Sequence, residues 1–293
     1  MEWIERFNQA VQYIERHLED QPDYQQAARL ACCSAFHFQK VFTCLAGAPL
    51  STYIRRRRMT LAAAELQQGG RKILDIALKY GYASPTAFNR AFQSVHGLPP
   101  SAAQKPGATL KSSPPIRFQI TVQGVEQMEY RVEEKPAFRI VGLAQPLEQD
   151  LEQNFTTVPQ LWAKAAAEGV IPRLIALIEG GTGVPGAPGG IIGASVADSR
   201  EQWKYFIAAA TDQPAPEGME EYWAPAMTWA IFPGKGPMPQ AVQRLEQRII
   251  AEWLPDSGYE YADGPDIELY LDPNPAESRF EIWLPVAKKE NRK

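Results

Sequence analysis

Within the first hundred residues of this chain, one pattern returns fifty positions later. Ala27, Ser34, Phe38, Phe42, Gly47, Pro49 and Ser51 recur as Ala77, Ser84, Phe88, Phe92, Gly97, Pro99 and Ser101, and Lys40 recurs as Arg90 with its charge kept. Each copy reads as a short helix, a tight turn, a Ser N-cap, a second helix and a Gly-Pro stop. Serine satisfies the orphan N–H groups at a helix start, and Gly followed by Pro ends a helix. That is a helix-turn-helix written twice. Two such units in one chain suit the reading of two stretches of one DNA groove.

Apolar spacing fills in the rest of this region. Trp3, Ile4, Phe7, Val11, Ile14 and Leu18 lie on one face of a leading helix. Gln25–Ala31 with Ser34–Ala46, and Lys72–Tyr80 with Ser84–Val95, form the two units, joined by one long helix over Leu50–Gln68 that Gly69-Gly70 closes. The polar, Pro-rich run over 109–124 reads as a linker, leaving 1–108 as one domain and 125–288 as another. In the second domain strands alternate with helices. Met128–Arg131, Phe138–Gly142, Ile191–Val196, Trp203–Ala209, Met227–Phe232, Ile267–Leu271 and Phe280–Leu284 read as strands; Val158–Glu168 and Met238–Leu254 read as helices. The expected fold class is an all-α front domain followed by an α+β domain of two βαββ halves with one antiparallel sheet. A cleft between such halves is the usual place for a small ligand.

Charge is divided between the domains. Residues 1–110 carry 13 Lys+Arg and 8 Asp+Glu, whereas 111–293 carry 17 and 26. A basic front fits phosphate, and an acidic back fits an uncharged or cationic partner. Cys32, Cys33 and Cys44 all fall in the first repeat, which suits buried, inert thiols in a reducing compartment. His17, His37 and His96 have no spacing suited to a metal, and neither metal nor cofactor is expected. Gly181-Thr182-Gly183-Val184-Pro185-Gly186 imitates a dinucleotide fingerprint, but Pro185 and Pro188 forbid the helix that must follow. Glu2, Glu5 and Arg6 interrupt any leading apolar run, and no stretch approaches the roughly 18 apolar residues of a membrane span, so a cytoplasmic protein is expected, with no membrane partner.

The second repeat runs Ile73-x-Asp75-Ile76-Ala77, Gly81-Tyr82-x-Ser84-Pro85, Phe88-x-Arg90-x-Phe92, then Gly97 and Pro99-Pro100-Ser101. Over residues 1–108 the chain resembles the AraC/XylS family of transcription regulators. That resemblance implies binding of double-stranded DNA, with base-facing positions at Phe36, Gln39 and Lys40 in the first unit and Thr86, Asn89 and Arg90 in the second. It is consistent with Phe38/Phe42 and Phe88/Phe92 pointing into the core, which leaves Gln39, Lys40, Asn89 and Arg90 to point away. The family often carries Gly where this chain has Cys32, so the first turn is expected to be tighter or differently shaped. Of Arg55-Arg56-Arg57-Arg58, one or two are expected to meet phosphate and the others to pair with carboxylates such as Glu65 or Asp75.

The back domain resembles the GyrI-like effector-binding module. The resemblance rests on Pro136–Gly142, Ile231-Phe232-Pro233-Gly234-Lys235-Gly236, Asp266-Ile267-Glu268-Leu269-Tyr270-Leu271 and Arg279–Val286. It implies an acidic, aromatic cleft for a hydrophobic, often cationic small molecule, with Glu268 matching the family's Glu-x-Tyr motif. Independently of the resemblance, strand alternation with Ile267, Leu269 and Leu271 and with Phe280, Ile282 and Leu284 facing the helices puts Glu268, Tyr270, Glu281 and Trp283 together on one surface. RNA polymerase is a further candidate partner. A rival reading makes this domain a hydrolase of reactive compounds with Glu268 or Glu281 as general base.

Overall fold

The computed structural model describes residues 3–119, 127–180, 186–197, 202–272 and 276–289. It divides into two compact units, Met1–Gln119 and Ile120–Lys293. Residues 181–185, which hold most of the glycine fingerprint imitation, lie outside the described residues.

The first unit is helical throughout. Helix α1 (Trp3–Arg16) buries Phe7, Ala10, Val11 and Ile14, the face its apolar spacing predicts. Helices α2 (Tyr24–Ala31) and α3 (Ala35–Ala46) form the first helix-turn-helix; α5 (Ile73–Lys79) and α6 (Pro85–His96) form the second, and the short α7 (Pro100–Ala103) follows it. Ser34 caps α3, its hydroxyl accepting the His37 N–H at 3.3 Å, and Gly47 and Gly97 end α3 and α6 at φ of 65° and 77°. The long helix α4 (Leu50–Gln68) serves both units. Its first half meets the first core, where Phe42 lies 5.3 Å from the Tyr53 ring and Phe7 lies 5.1 Å from Phe38. Its second half supplies Met59, Ala62, Ala63 and Leu66 to the core around Ile76, Ala77, Tyr80, Phe88 and Phe92.

The two turns differ, as the Cys32 substitution suggested. Cys32 closes α2 in the left-handed region at φ 56°, and the Cys33 N–H bonds back to the Ala28 carbonyl. In the second unit Gly81 takes that conformation at φ 82°, and the Tyr82 N–H bonds back to Ala77. Ala28 is therefore the structural counterpart of Ala77, and the first turn reaches its N-cap one residue sooner. The fifty-residue offset holds in the recognition helices and slips by one across the turn. Holding a side chain at positive φ costs about 1 kcal/mol relative to glycine.

The run 109–124 does not behave as a linker over its first part. Residues 109–119 pack back on the helical unit, for example through Phe118 against Phe7 and Phe42, each at 5.7 Å. Residues 120–126 lie outside the described residues.

The second unit is one antiparallel sheet with helices on one face. Its strands are β1 (Arg131–Lys135), β2 (Phe138–Pro146), β3 (Ile191–Ala197), β4 (Trp203–Ala210), β5 (Glu220–Ala224), β6 (Met227–Gly236), β7 (Tyr259–Tyr261), β8 (Asp266–Tyr270) and β9 (Ser278–Lys288). The order is β1-β6-β9-β8-β3-β4-β2-β5, with β7 on β9. The two βαββ halves are visible as β2-helices-β3-β4 and β6-helix-β8-β9, related by a pseudo-twofold between β8 and β3. The structure adds β5 and β7, moves the first strand to 131–135, and splits the first crossover into α8 (Leu151–Ala167) and α9 (Val170–Glu179) at Gly169, φ 68°. The second crossover helix, α10 (Gln240–Arg248), continues through a π-helical turn at Ile249–Trp253.

The sheet is rolled. Strands β2 and β6 are five places apart, about 24 Å if flat at about 4.8 Å per strand. Yet Phe138 of β2 lies 6.3 Å from Trp229 of β6 and 6.4 Å from Trp283 of β9. The inner face closes on these aromatics with Ile140, Ile192, Phe206, Ile231, Ile267 and Leu269. The outer face carries the helices, α8 and α9 over one half and α10 over the other.

Candidate effector and nucleic-acid sites

Strand register decides which side chains share a face. Glu268 pairs with Ile282 and Tyr270 with Phe280, while Ile267 pairs with Trp283 and Leu269 with Glu281. Cross-strand partners point the same way. Glu268 and Tyr270 therefore stand on the outer, helix-bearing face, and Glu281 and Trp283 on the rolled inner face. The expected four-residue surface does not exist. Glu281 is held instead by Arg131 at 2.9 Å and by the Trp283 indole N–H at 2.8 Å, and Lys135 stands 5.4 Å from the Trp283 ring centre.

What gathers around Glu268 comes from three other places. The Tyr270 hydroxyl donates to Glu268 Oε2 at 2.5 Å. Tyr205 of β4 also points its hydroxyl there, at 3.5 Å, and in turn accepts the Trp162 indole N–H at 3.2 Å. Trp162 of α8 lies edge-on to Tyr270 at 5.1 Å. Tyr205 reaches across Gly193, the residue beside Glu268 in the register, where a Cβ would lie 2.3 Å from the Tyr205 hydroxyl. Burial, then the Glu268 charge, with smaller contributions from Tyr205 and from Glu246 of α10, pushes the Tyr270 hydroxyl well above its ordinary value. Tyr270 thus stays a donor, and two carboxylates, Glu268 and Glu246, set the local field. The arrangement is a half-buried carboxylate within aromatic walls at the seam of the two halves.

Trp162 and Tyr205 are visible in the sequence only as part of a general aromatic density, because nothing there separates cleft aromatics from core ones. Glu246 carries no sequence signal beyond lying on an amphipathic helix.

In the front unit, Thr86 and Arg90 are exposed, and Phe36, Lys40 and Asn89 half-buried. Gln39 is the correction: it is only 2 % exposed, and its amide donates to the Ala35 carbonyl at 3.4 Å. Successive helix residues turn by about 100°, so Gln39 stands about 60° from Phe42 and flanks the core stripe, while Lys40 stands about 160° from it. Asn89 has the same relation to Phe92. The arginine run divides. Arg57 is buried against Glu15, with Nε to Oε1 and Nη2 to Oε2 both 2.9 Å, rather than against Glu65 or Asp75. Arg58 binds the Leu18 and Asp20 carbonyls at 2.8 and 2.5 Å. Glu65 pairs with Lys79 at 2.6 Å and Arg71 at 2.7 Å. Arg56 is exposed. The three cysteines are free thiols, but not the buried ones expected: Cys32 is exposed, and Cys33 and Cys44 are half-buried. Burial, with the neighbouring Cys32, pushes the Cys33 thiol up to about 12, which keeps that thiol protonated and unreactive. Among the described residues, no group of three or more His, Cys, Asp or Glu is placed to hold a metal, and no helix is long and apolar enough to cross a membrane.

Comparison with known proteins agrees with this architecture. Residues 128–287, more than half of the chain, match the GyrI-like small molecule binding domain, and residues 27–105 match a helix-turn-helix domain. YbfP of Bacillus subtilis, described as an uncharacterized HTH-type transcriptional regulator, is 37% identical over 92 residues, 31% of each chain. The transcriptional regulator Rob of Salmonella typhimurium is 31% identical over 144 residues, 48% of each chain. The matched stretches thus span from about a third to about half the length of these relatives. The solved structure of SAV2435 bound to tetraphenylphosphonium is 24% identical and covers 55% of this chain and 94% of that one, with a TM-score of 0.47. YbfP and Rob are both described as transcriptional regulators. The chain belongs to the GyrI-like small-molecule binding family, carried behind an AraC-type helix-turn-helix domain.

Proposed function

We propose that this chain is a one-component transcription regulator of the cytoplasm that reads duplex DNA with its two helix-turn-helix units and senses a hydrophobic, cationic small molecule at Glu268. The observation that carries the sensor reading is the half-buried Glu268 carboxylate, which accepts the Tyr270 hydroxyl between Trp162 and Tyr205. Charge attraction and aromatic faces together favour an organic cation over a neutral molecule of equal size. On the DNA side, Arg90 and Lys40 suit guanine, Thr86 and Phe36 suit thymine methyl or backbone contacts, and Arg56 suits phosphate. Occupancy of the cleft alters DNA binding, or contact with RNA polymerase, to the extent that the effector prefers one state of the protein over another.

The sensor is tested by calorimetry on the full chain with a quaternary arylammonium and its neutral tert-butyl isostere. Glu268→Gln is expected to weaken the cation by about 1–3 kcal/mol and leave the isostere nearly unchanged. Equal weakening of both would make Glu268 structural. For the DNA reading, Arg90→Ala is expected to cost about 1–3 kcal/mol on a duplex selected by the wild-type chain, and less on random duplex. Equal loss on both would reduce Arg90 to a phosphate contact, and no salt-dependent binding at all would remove the DNA reading.

A further inference from the structure

Residues 108–119 cross the whole helical unit in extended form and touch both reading heads. Leu110 packs on the core of the second unit. The next residue, Lys111, donates its backbone N–H to His96 Nδ1 at 3.2 Å, while His96 Nε2 faces the Met59 carbonyl at 3.0 Å. Ser113 donates its backbone N–H to the Thr60 hydroxyl at 3.0 Å, and its carbonyl accepts from Arg57 Nη1 at 2.5 Å. Ile116 donates to the Tyr53 hydroxyl at 3.0 Å. Phe118 then exchanges two bonds with the Asn8 amide, at 2.8 and 2.9 Å, and sets its ring between Phe7 and Phe42.

The partners on α4 descend, from Thr60 to Arg57 to Tyr53, as the strand of chain ascends. Seven helical residues rise about 10.5 Å. Three extended residues, Ser113 to Ile116, reach about 10 Å, so the two match in length. Pro114-Pro115 stiffens the middle and lowers the entropy lost on docking. Outward positions are polar or proline: Lys111, Ser112, Pro114, Pro115 and Arg117 are all exposed. Such a segment, with six backbone groups bonded to side chains of α1, α4 and α6, does more than connect.

We infer that residues 108–119 are a positioning strap that fixes the two helix-turn-helix units at one separation, so that the chain reads two DNA segments at one spacing only. The functional half of this inference rests on the DNA-reading proposal; the mechanical half stands without it. Asn8, Thr60 and Phe118 are positioning residues here, with no part in base contact.

The test uses the full chain with Cys32, Cys33 and Cys44 replaced by Ser and spin labels at Arg29→Cys on α2 and Gln93→Cys on α6. Pulsed electron resonance without DNA is expected to give one narrow distance distribution. Phe118→Ala, and separately Asn8→Ala combined with Thr60→Val, are expected to broaden it; the second variant leaves the Phe7–Phe42 core intact should the first fail to fold. The DNA arm compares a duplex selected by the unlabelled wild-type chain with the same duplex carrying one extra base pair between its halves, a change of about 3.4 Å and about 34°. Wild type is expected to lose about tenfold on the insertion, and strap variants less than about threefold. A distribution that stays narrow in both variants, or an insertion penalty equal to wild type, overturns the strap. If wild type selects no duplex, the DNA reading fails, and the distance measurement still decides the mechanical claim.

Discussion

Arg57→Ala is expected to destabilise the helical unit by about 3–5 kcal/mol in urea or thermal unfolding. The size follows from what is left behind. Arg57 and Glu15 side chains are only 8% and 17% exposed, and the guanidinium fork meets both carboxylate oxygens. The same carboxylate accepts the Tyr53 hydroxyl at 2.6 Å, and burial together with that bond raises the Tyr53 hydroxyl above its ordinary value, so Tyr53 remains a donor. Removing Arg57 leaves the Glu15 charge with one neutral donor and frees the Ser113 carbonyl that Arg57 also holds. Lysine does not restore the site, since a point charge cannot bond two oxygens and a carbonyl in one plane. Glu15→Gln combined with Arg57→Ala is expected to recover about 1–2 kcal/mol by removing the stranded charge. A loss below about 1 kcal/mol for Arg57→Ala alone would show that water reaches the pair and solvates Glu15.

That residue also marks where reading of the sequence stops. Four consecutive arginines announce positive charge, but consecutive residues of a helix point about 100° apart, and which one faces inward depends on where α1 lies. The partner, Glu15, is 42 residues away. Long-range pairs of this kind have no local signature. By contrast, the recognition helices and the Gly stops are local, and the repeat states them twice; of the two Ser caps, Ser34 bonds the His37 N–H, whereas Ser84 holds the N-cap position without a side-chain capping bond. The same contrast explains the run over 109–124. Its composition is that of a linker, and it takes side chains scattered through the preceding hundred residues, among them Asn8, Tyr53, Thr60 and His96, to turn residues 109–119 into packed structure.

In the second unit, element types were legible and faces were not. Alternation assigns a face when one side of a sheet is wet. Here the rolled inner face and the helix-covered outer face are both dry over β9, where Phe280, Ile282, Trp283, Leu284 and Val286 are all buried. No period-2 signal survives in such a strand, so β8 and β9 could be set together in either phase. The apolar residues of β8 and those of β9 in fact lie on opposite faces. The Glu-x-Tyr match singles out Glu268 and Tyr270 without depending on phase, whereas Glu281 and Trp283 join them only under one choice of phase.

Gly193→Ala is expected to disable the proposed effector site through one methyl group. The new Cβ would lie 2.3 Å from the Tyr205 hydroxyl and 3.3 Å from Glu268 Oε2, so the stiff, buried Tyr205 ring must shift. The shift breaks the Trp162–Tyr205–Glu268 chain of hydrogen bonds, and overpacking of this kind costs about 1–3 kcal/mol of stability. Calorimetry with the quaternary arylammonium should show about tenfold or greater loss of affinity, while DNA binding without effector stays as in wild type. Tyr205→Phe supplies the discriminating control. It removes the clashing oxygen and leaves the nearest ring carbon 3.2 Å from the added Cβ, a contact a small adjustment relieves. The double variant is therefore expected to be more stable than the sum of the two single losses predicts, by about 1 kcal/mol or more. Strict additivity would mean that Tyr205 does not cross over Gly193 in solution, and the cleft geometry around Glu268 would have to be redrawn.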